Sequence, residues 1–225
     1  MARGKFITLE GGEGTGKTTQ IKNLHAYLSS QGIDCIVTRE PGGTDEAEKI
    51  RDLLVQRDGG DWDPMSEALL LFAARREHLV KKIWPAMEKG QWVISDRFVD
   101  SSRVYQGSAL GLGMNVVEGL YYMIAQEFEP DLTFIMDIDP EIGLKRSGKQ
   151  NQMSLDLNET TEDRYERLGL DFHEKVRAGF LSVAEQHPKR CVVMDADQTP
   201  DDIFAQMKGV LELKLGIKTK QYGTV

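Results

Sequence analysis

With 225 residues the chain can bury one substantial core, and it fits a single medium-sized domain (1–225) better than two. Hydrophobic residues make up 40% and charged residues 28%, with a net charge of -8. That balance argues against a general nucleic-acid binder, because phosphate backbones are held by an excess of Lys and Arg. No apolar run approaches the roughly 20 residues needed to cross a bilayer, and no membrane association is expected. Residues 1–5 are short and basic, and the apolar run after them stops at Glu10, unlike a secretory leader. Cys35 and Cys191 are the only cysteines. Two isolated thiols in apolar surroundings suit a reducing compartment better than a disulfide framework and are too few for a four-cysteine zinc site. A cytoplasmic location is expected.

In chain order, residues 6–9 form the first strand candidate, nearly continuous in apolar residues. Directly after it, Gly11-Gly12-Glu13-Gly14-Thr15-Gly16-Lys17-Thr18 satisfies G-x-x-x-x-G-K-[ST], followed by Thr19. Glycines there let backbone N–H groups turn inward around phosphates, Lys17 reaches the β- and γ-phosphates, and the Thr18 hydroxyl ligates Mg²⁺. A helix then begins whose Ile21, Leu24 and Leu28 share one face; its N-terminal end favours anions. A nucleoside triphosphate with Mg²⁺ follows from this motif, with Gly11, Gly14, Thr15, Gly16, Lys17, Thr18 and Thr19 around the triphosphate; no Asn-Lys-x-Asp guanine-reading segment appears, so ATP is the expected cofactor.

Further strand candidates lie at residues 35–38, 92–95, 132–136 and 191–194. Five such runs separated by helices predict an α/β fold, a doubly wound five-stranded parallel sheet that binds ligands beyond the carboxyl ends of its strands. Residues 39–44, 96–106 and 137–140 follow strands two to four, so site residues are expected there. Leu168, Phe172, Val176 and Phe180 recur at i+4 spacing in a later helix. Between them, residues 147–161 are polar and weakly periodic and read as a mobile loop, with a lid expected over about 146–163. Residues 217–225 read as a loose tail. His25, His78, His173 and His187 sit on helical or surface-like stretches and are assigned no chemistry.

Beyond the phosphate loop, several segments share one order: Thr38-Arg39-Glu40-Pro41-Gly42-Gly43-Thr44, Phe72-Ala73-Ala74-Arg75, Asp96-Arg97-Phe98, Ser101-Ser102 and Tyr105-Gln106-Gly107. In this combination the chain resembles bacterial thymidylate kinase along nearly its whole length. The resemblance implies a P-loop kinase with a mobile lid that moves the γ-phosphate of ATP onto thymidine monophosphate (dTMP), and a homodimer. An acceptor with about two negative charges calls for several guanidinium groups. The resemblance places Arg39, Arg51 and Arg97 around its phosphate, with Glu40 nearby. It puts Arg75 at the thymine ring, Ser102 and Gln106 at the pyrimidine edge, Tyr105 under the sugar, and Glu13 at the 3′-hydroxyl.

Three alternatives stay open at the level of sequence. Phe72 is the candidate for stacking on thymine, but a one-residue shift would give that place to Leu71, and Arg75 is doubled by Arg76. Asp96 is either a water-mediated Mg²⁺ ligand or simply a partner for Arg97. Apolar residues of the helix around Leu69, Leu70 and Val80, and of residues 116–128, are either dimer surface or core. Because the acceptor oxygen is already ionised, no general base is needed; Lys17, Arg97, Glu13 and a mobile lid cation carry catalysis. Arg146 is the expected lid cation, with Lys149 and Arg164 in support.

Overall fold

A computed structural model of the chain describes residues 2–55, 60–155, 165 and 167–217, with 149–155 described by backbone alone. The strands are β1 (Phe6–Glu10), β2 (Cys35–Arg39), β3 (Trp92–Asp96), β4 (Leu132–Asp137) and β5 (Cys191–Asp195). They pair in the order β2-β3-β1-β4-β5, every pairing parallel. The predicted doubly wound sheet is therefore present. Each strand runs one residue past its sequence-predicted end, and each added residue is charged: Glu10, Arg39, Asp96, Asp137 and Asp195. A ladder of backbone bonds carries a polar residue into the sheet that hydrophobic periodicity alone assigns to the loop.

Around the sheet lie α1 (Lys17–Ser30), α2 (Asp45–Val55), α3 (Pro64–His78), α4 (Trp84–Glu88), α5 (Val99–Ser102), α6 (Met114–Ala125), α7 (Pro140–Leu155), α8 (Leu170–Gln186) and α9 (Pro200–Leu215). Local chemistry sets several starts. Asp63 accepts the Ser66 N–H at 3.1 Å ahead of Pro64, and Thr199 accepts from Asp202 N–H at 3.2 Å ahead of Pro200. Between α3 and α4, Leu79–Ile83 winds as a wider π-helical stretch, directly before Pro85, whose missing N–H interrupts the ladder. Arg103–Ala109 continues α5 in the same wide winding and carries Tyr105 and Gln106.

Alternate residues of β1 feed opposite layers. Ile7 and Leu9 join Ile21, Leu24 and Leu28 of α1 with Ile203, Met207 and Leu211 of α9. Phe6, on the other face, packs with Phe72, Leu79, Phe98 and Tyr121. Val176 and Phe180 of α8 lie against Val104 and Tyr105. Burial on both faces explains why β1 reads as a continuous apolar run.

Three expectations change. α7 is helical through Leu155, so 147–155 are not loop; the rest of the expected lid, 156–163, Arg164 after it and the side chain of Lys149 lie outside the described residues. Leu168 precedes α8 and is 39% exposed, so its i+4 spacing to Phe172 does not put it in the core. Ile217 is buried in the α1–α9 layer, so the expected loose tail begins after a docked residue, and 218–225 lie outside the described residues. Cys35 and Cys191 are both buried free thiols. No described helix is long and apolar enough to span a membrane.

Candidate active site

β1 delivers its chain directly into the glycine loop, between β3 and β4. Gly11 has φ 138°, and a Cβ there would lie 2.4 Å from the Met136 carbonyl oxygen, so only glycine lets the loop leave β1 this close to β4. α1 starts at Lys17 with no side-chain cap, leaving its first N–H groups for an anion. Lys17 is buried, and its Nζ donates to the carbonyl oxygens of Gly11 (3.1 Å) and Gly12 (2.7 Å) and to Thr15 Oγ1 (3.3 Å). Burial, and then the neighbouring Arg97, push the Lys17 ammonium down to about 8.

Arg97, the residue after β3, adopts a left-handed backbone with φ 66°. Its N–H bonds the Leu9 carbonyl at 3.0 Å, its own carbonyl accepts from Ser95 Oγ at 2.7 Å, and the next N–H, of Phe98, bonds Glu10 Oε1 at 2.7 Å. These bonds offset the strain of the left-handed turn. They aim the guanidinium back across the sheet edge, where Nη1 donates to the Gly11 carbonyl (2.9 Å) and Nη2 to Glu13 Oε1 (2.8 Å). The Tyr105 hydroxyl donates to the same Glu13 oxygen at 3.0 Å, beneath an Arg97 guanidinium 5.3 Å from its ring centre. Burial opposes ionisation of Glu13, but Arg97 and then Lys17 outweigh it and hold the carboxyl below its usual range. A carboxylate inside a phosphate loop is thus paired with a cation. Arg97 pairs with Glu13 and not with Asp96, so the alternative in which Asp96 serves only as its ion-pair partner is not the arrangement observed.

A second cluster lies one helix away. Arg75, not Arg76, turns inward: Arg75 is buried, whereas Arg76 is exposed over Trp84 and donates to the Ile124 carbonyl. Arg75 donates through Nε to Glu40 Oε2 (2.7 Å) and through Nη2 to the Phe98 carbonyl (3.1 Å) and Ser102 Oγ (3.0 Å). Its Nη1 is buried with no partner. The Phe72 ring is packed 4.9 Å from the Arg75 guanidinium and is itself buried, while Leu71 is half-buried. Next to this, Gln106 Nε2 donates to Glu67 Oε1 at 2.8 Å, an oxygen that also accepts from the Tyr165 hydroxyl at 2.7 Å.

Arg39 and Arg51 occupy the rim. Arg39 Nη2 pairs with Glu48 Oε2 (2.9 Å) and is 54% exposed; Arg51 Nη1 donates to the Pro41 carbonyl (2.7 Å). Arg146 is not brought to the glycine loop. Its guanidinium is held by the Ala196 carbonyl (2.9 Å) and Asp197 Oδ1 (2.6 Å) after β5, because that face of α7 lies against the β5–α9 turn. The expectation of Arg146 as the cation at the transferred phosphate does not fit this placement.

Sequence reasoning passed over several buried polar residues. Glu10 is fully buried, accepts from Phe98 N–H and Ser101 Oγ, and has its carboxyl raised to about 8 by burial and then by Asp100. Asp100 anchors a buried cluster: Arg190 donates to it at 2.6 and 2.8 Å and Arg103 at 2.8 Å. His78 and His173 are buried, not surface-like. A charge or imidazole at the end of an apolar strand or on the inner stripe of a helix is the signal that could have found them.

A family model described as "Thymidylate kinase" matches residues 9–207. The chain is 43% identical over 212 residues to a thymidylate kinase of Clostridium novyi (strain NT), covering 94% of this chain and 100% of the relative. It is 42% identical to one of Caulobacter vibrioides, covering 96% and 100%. A crystal structure of thymidylate kinase from Ehrlichia chaffeensis superposes with a TM-score of 0.72 at 34% identity, over 93% of this chain and 99% of that one.

Proposed function

The chain belongs to the thymidylate kinase family, and from that membership we propose how its residues move the γ-phosphate of ATP onto dTMP. The observation that carries the residue assignment is Arg97. Rooted in the neighbouring strand, it bonds both the glycine loop and Glu13, which puts a fixed cation between the donor cradle and the acceptor-side residues.

The triphosphate lies along residues 11–19, with Lys17 leaving the loop carbonyls for the β- and γ-oxygens and the uncapped start of α1 facing the phosphates. Arg39, Arg51 and Arg97 receive the acceptor phosphate, Arg39 exchanging its exposed bond to Glu48 for a phosphate oxygen. Glu13 and Tyr105 support the sugar, Phe72 flanks the base, and Arg75, Ser102 and Gln106 meet its polar edge with Glu40 behind Arg75. The acceptor oxygen is ionised at pH 7, so these residues need only align two phosphates and neutralise charge on the migrating group. Arg146 belongs to the adenosine side in this scheme, beside Asp197.

Among the described residues no cluster of three or more His, Cys, Asp or Glu side chains could cage a metal. The Thr18 hydroxyl and Asp96 carboxylate, completed by substrate phosphates, suit Mg²⁺, which takes few protein oxygens. When bound, Mg²⁺ would neutralise phosphate charge there.

Two further parts of the reading concern the whole molecule. Leu69, Val80, Tyr122 and Met123 are exposed on α3, the stretch after it and α6, which pack side by side. An apolar face of this kind fits a second copy of the chain in a homodimer. Two free buried thiols fit a reducing cytoplasm. A coupled ADP-release assay across dTMP, dUMP, dCMP, dGMP, AMP and thymidine, with Mg²⁺ present, tests the assignment. dTMP is expected to be the preferred acceptor; no ATP consumption with dTMP refutes it.

A further inference from the structure

The loop after β2 and the end of α3 share a buried chain of polar groups that phosphoryl transfer does not use. His78, the last residue of α3, is fully buried. Its Nε2 lies 2.7 Å from Thr38 Oγ1 and its Nδ1 3.0 Å from Glu40 Oε1. The other oxygen of Glu40 accepts from Arg75 Nε at 2.7 Å. Burial opposes ionisation of Glu40, but Arg75 and His78 outweigh it and keep the carboxyl below its usual range. An ionised carboxylate only accepts, so Nδ1 of His78 is the donor to it, and Nε2 is left to pair with the Thr38 hydroxyl. The chain thus runs from Thr38 through His78 and Glu40 to Arg75.

Backbone packing closes around the imidazole. Gly43 has φ 90°, and a Cβ there would lie 2.5 Å from His78 Nε2 and 2.6 Å from Thr38 Oγ1. The loop from Arg39 to Thr44 is therefore folded onto the ring. At the far end of the chain, Arg75 spends Nε on Glu40 and Nη2 on Phe98 and Ser102, leaving Nη1 buried and unpartnered. A guanidinium only donates. A fixed donor at that point accepts a pyrimidine that presents O4 and rejects one that presents the N4 amino group, because two donors would be left facing each other.

We propose that His78 is a positioning residue for base selection: anchored on Thr38, it holds Glu40 so that Arg75 keeps Nη1 aimed at the O4 edge of the base and discriminates against cytosine. The proposal rests on the reading of dTMP as acceptor. Its action is through Glu40 and Arg75, not by contact with the substrate.

The test measures kcat/KM for dTMP and dCMP, KM for ATP and the thermal midpoint in the wild type and three variants. His78→Leu removes both bonds; the dTMP-over-dCMP ratio is expected to fall by roughly tenfold or more, with KM for ATP within about twofold of wild type. His78→Asn keeps an amide donor near the Nδ1 position and restores most of the ratio. Thr38→Val leaves the ring but removes its anchor, and the ratio is expected to fall about threefold. A folded His78→Leu protein with an unchanged ratio overturns the proposal, as does His78→Asn behaving like His78→Leu. Should His78→Leu fail to fold, Thr38→Val decides, and an unchanged ratio there overturns it. A wild-type protein that does not phosphorylate dTMP, or does not prefer it to dCMP, overturns the acceptor assignment itself, and that result is seen before any variant is made.

Discussion

Titration of Lys17 offers a direct probe of the phosphate cradle. In the free protein its ammonium is buried against the Gly11 and Gly12 carbonyls and faces the charge of Arg97, and its pKa is pushed down to about 8. Triphosphate oxygens at Nζ favour the charged form, so binding raises that pKa again. At pH 7 about a tenth of Lys17 is neutral in the free protein; at pH 8.5 it is roughly three quarters. ATP binding is therefore expected to take up about 0.1 proton at pH 7 and about 0.7 at pH 8.5. ATP affinity should weaken as pH rises above about 8, because the bound state holds the extra proton. Calorimetric titrations in buffers of different ionisation enthalpy read the proton count directly, with Lys17→Ala as the control. Glu10 is also raised to about 8 and feels the charge of Lys17, so the comparison is repeated in a Glu10→Gln background, where the remaining difference belongs to the lysine. An uptake at pH 8.5 equal in wild type and Lys17→Ala would refute the idea that Lys17 leaves the loop carbonyls for the phosphates. The same depressed pKa bears on folding. The unfolded chain binds more protons than the folded one between about pH 8 and the ordinary lysine value of 10.5, so this group's contribution to stability rises with pH across that window.

Three other outcomes are expected. Lys17→Ala lowers kcat by on the order of 10²–10³, comparable with removing one preorganised donor to a developing anion, as steady-state assays with ATP and dTMP would read. Arg146→Ala, which frees the Ala196–Asp197 turn, raises KM for ATP several-fold and leaves KM for dTMP nearly unchanged; a fall in kcat with both KM values unchanged would return Arg146 to the transferred phosphate. Asp100→Asn removes the buried carboxylate that both Arg103 and Arg190 contact, leaving them only the more exposed Glu129 in common. It should destabilise the fold by about 3 kcal/mol, lowering the thermal midpoint by roughly 6–12 °C in calorimetry.

What the sequence alone determined is local in origin. Short apolar runs placed five strands: β1, β3 and β4 because residues buried on both faces of a sheet are apolar in succession, and the half-exposed edge strands β2 and β5 because their runs are equally apolar; Ile21, Leu24 and Leu28 marked the inner face of α1 because a helix turns every 3.6 residues. The glycine loop was legible because its chemistry is contained in eight consecutive residues, and the arginine-bearing motifs could be matched by resemblance. The structure alone decided what depends on residues far apart in the chain. It turned Arg75 inward and Arg76 outward, since both fit the same helix and only the packing of α3 chooses between them. It carried Arg146 to Asp197, 51 positions away, where periodicity has no reach. It extended α7 through residues whose polarity alone suggested a loop. It also joined Glu40 to Arg75 and His78 across 35 and 38 positions of sequence. A buried charge is tolerable only with a partner, and the partner's identity is fixed by which strand ends and helix faces the fold brings within hydrogen-bonding distance.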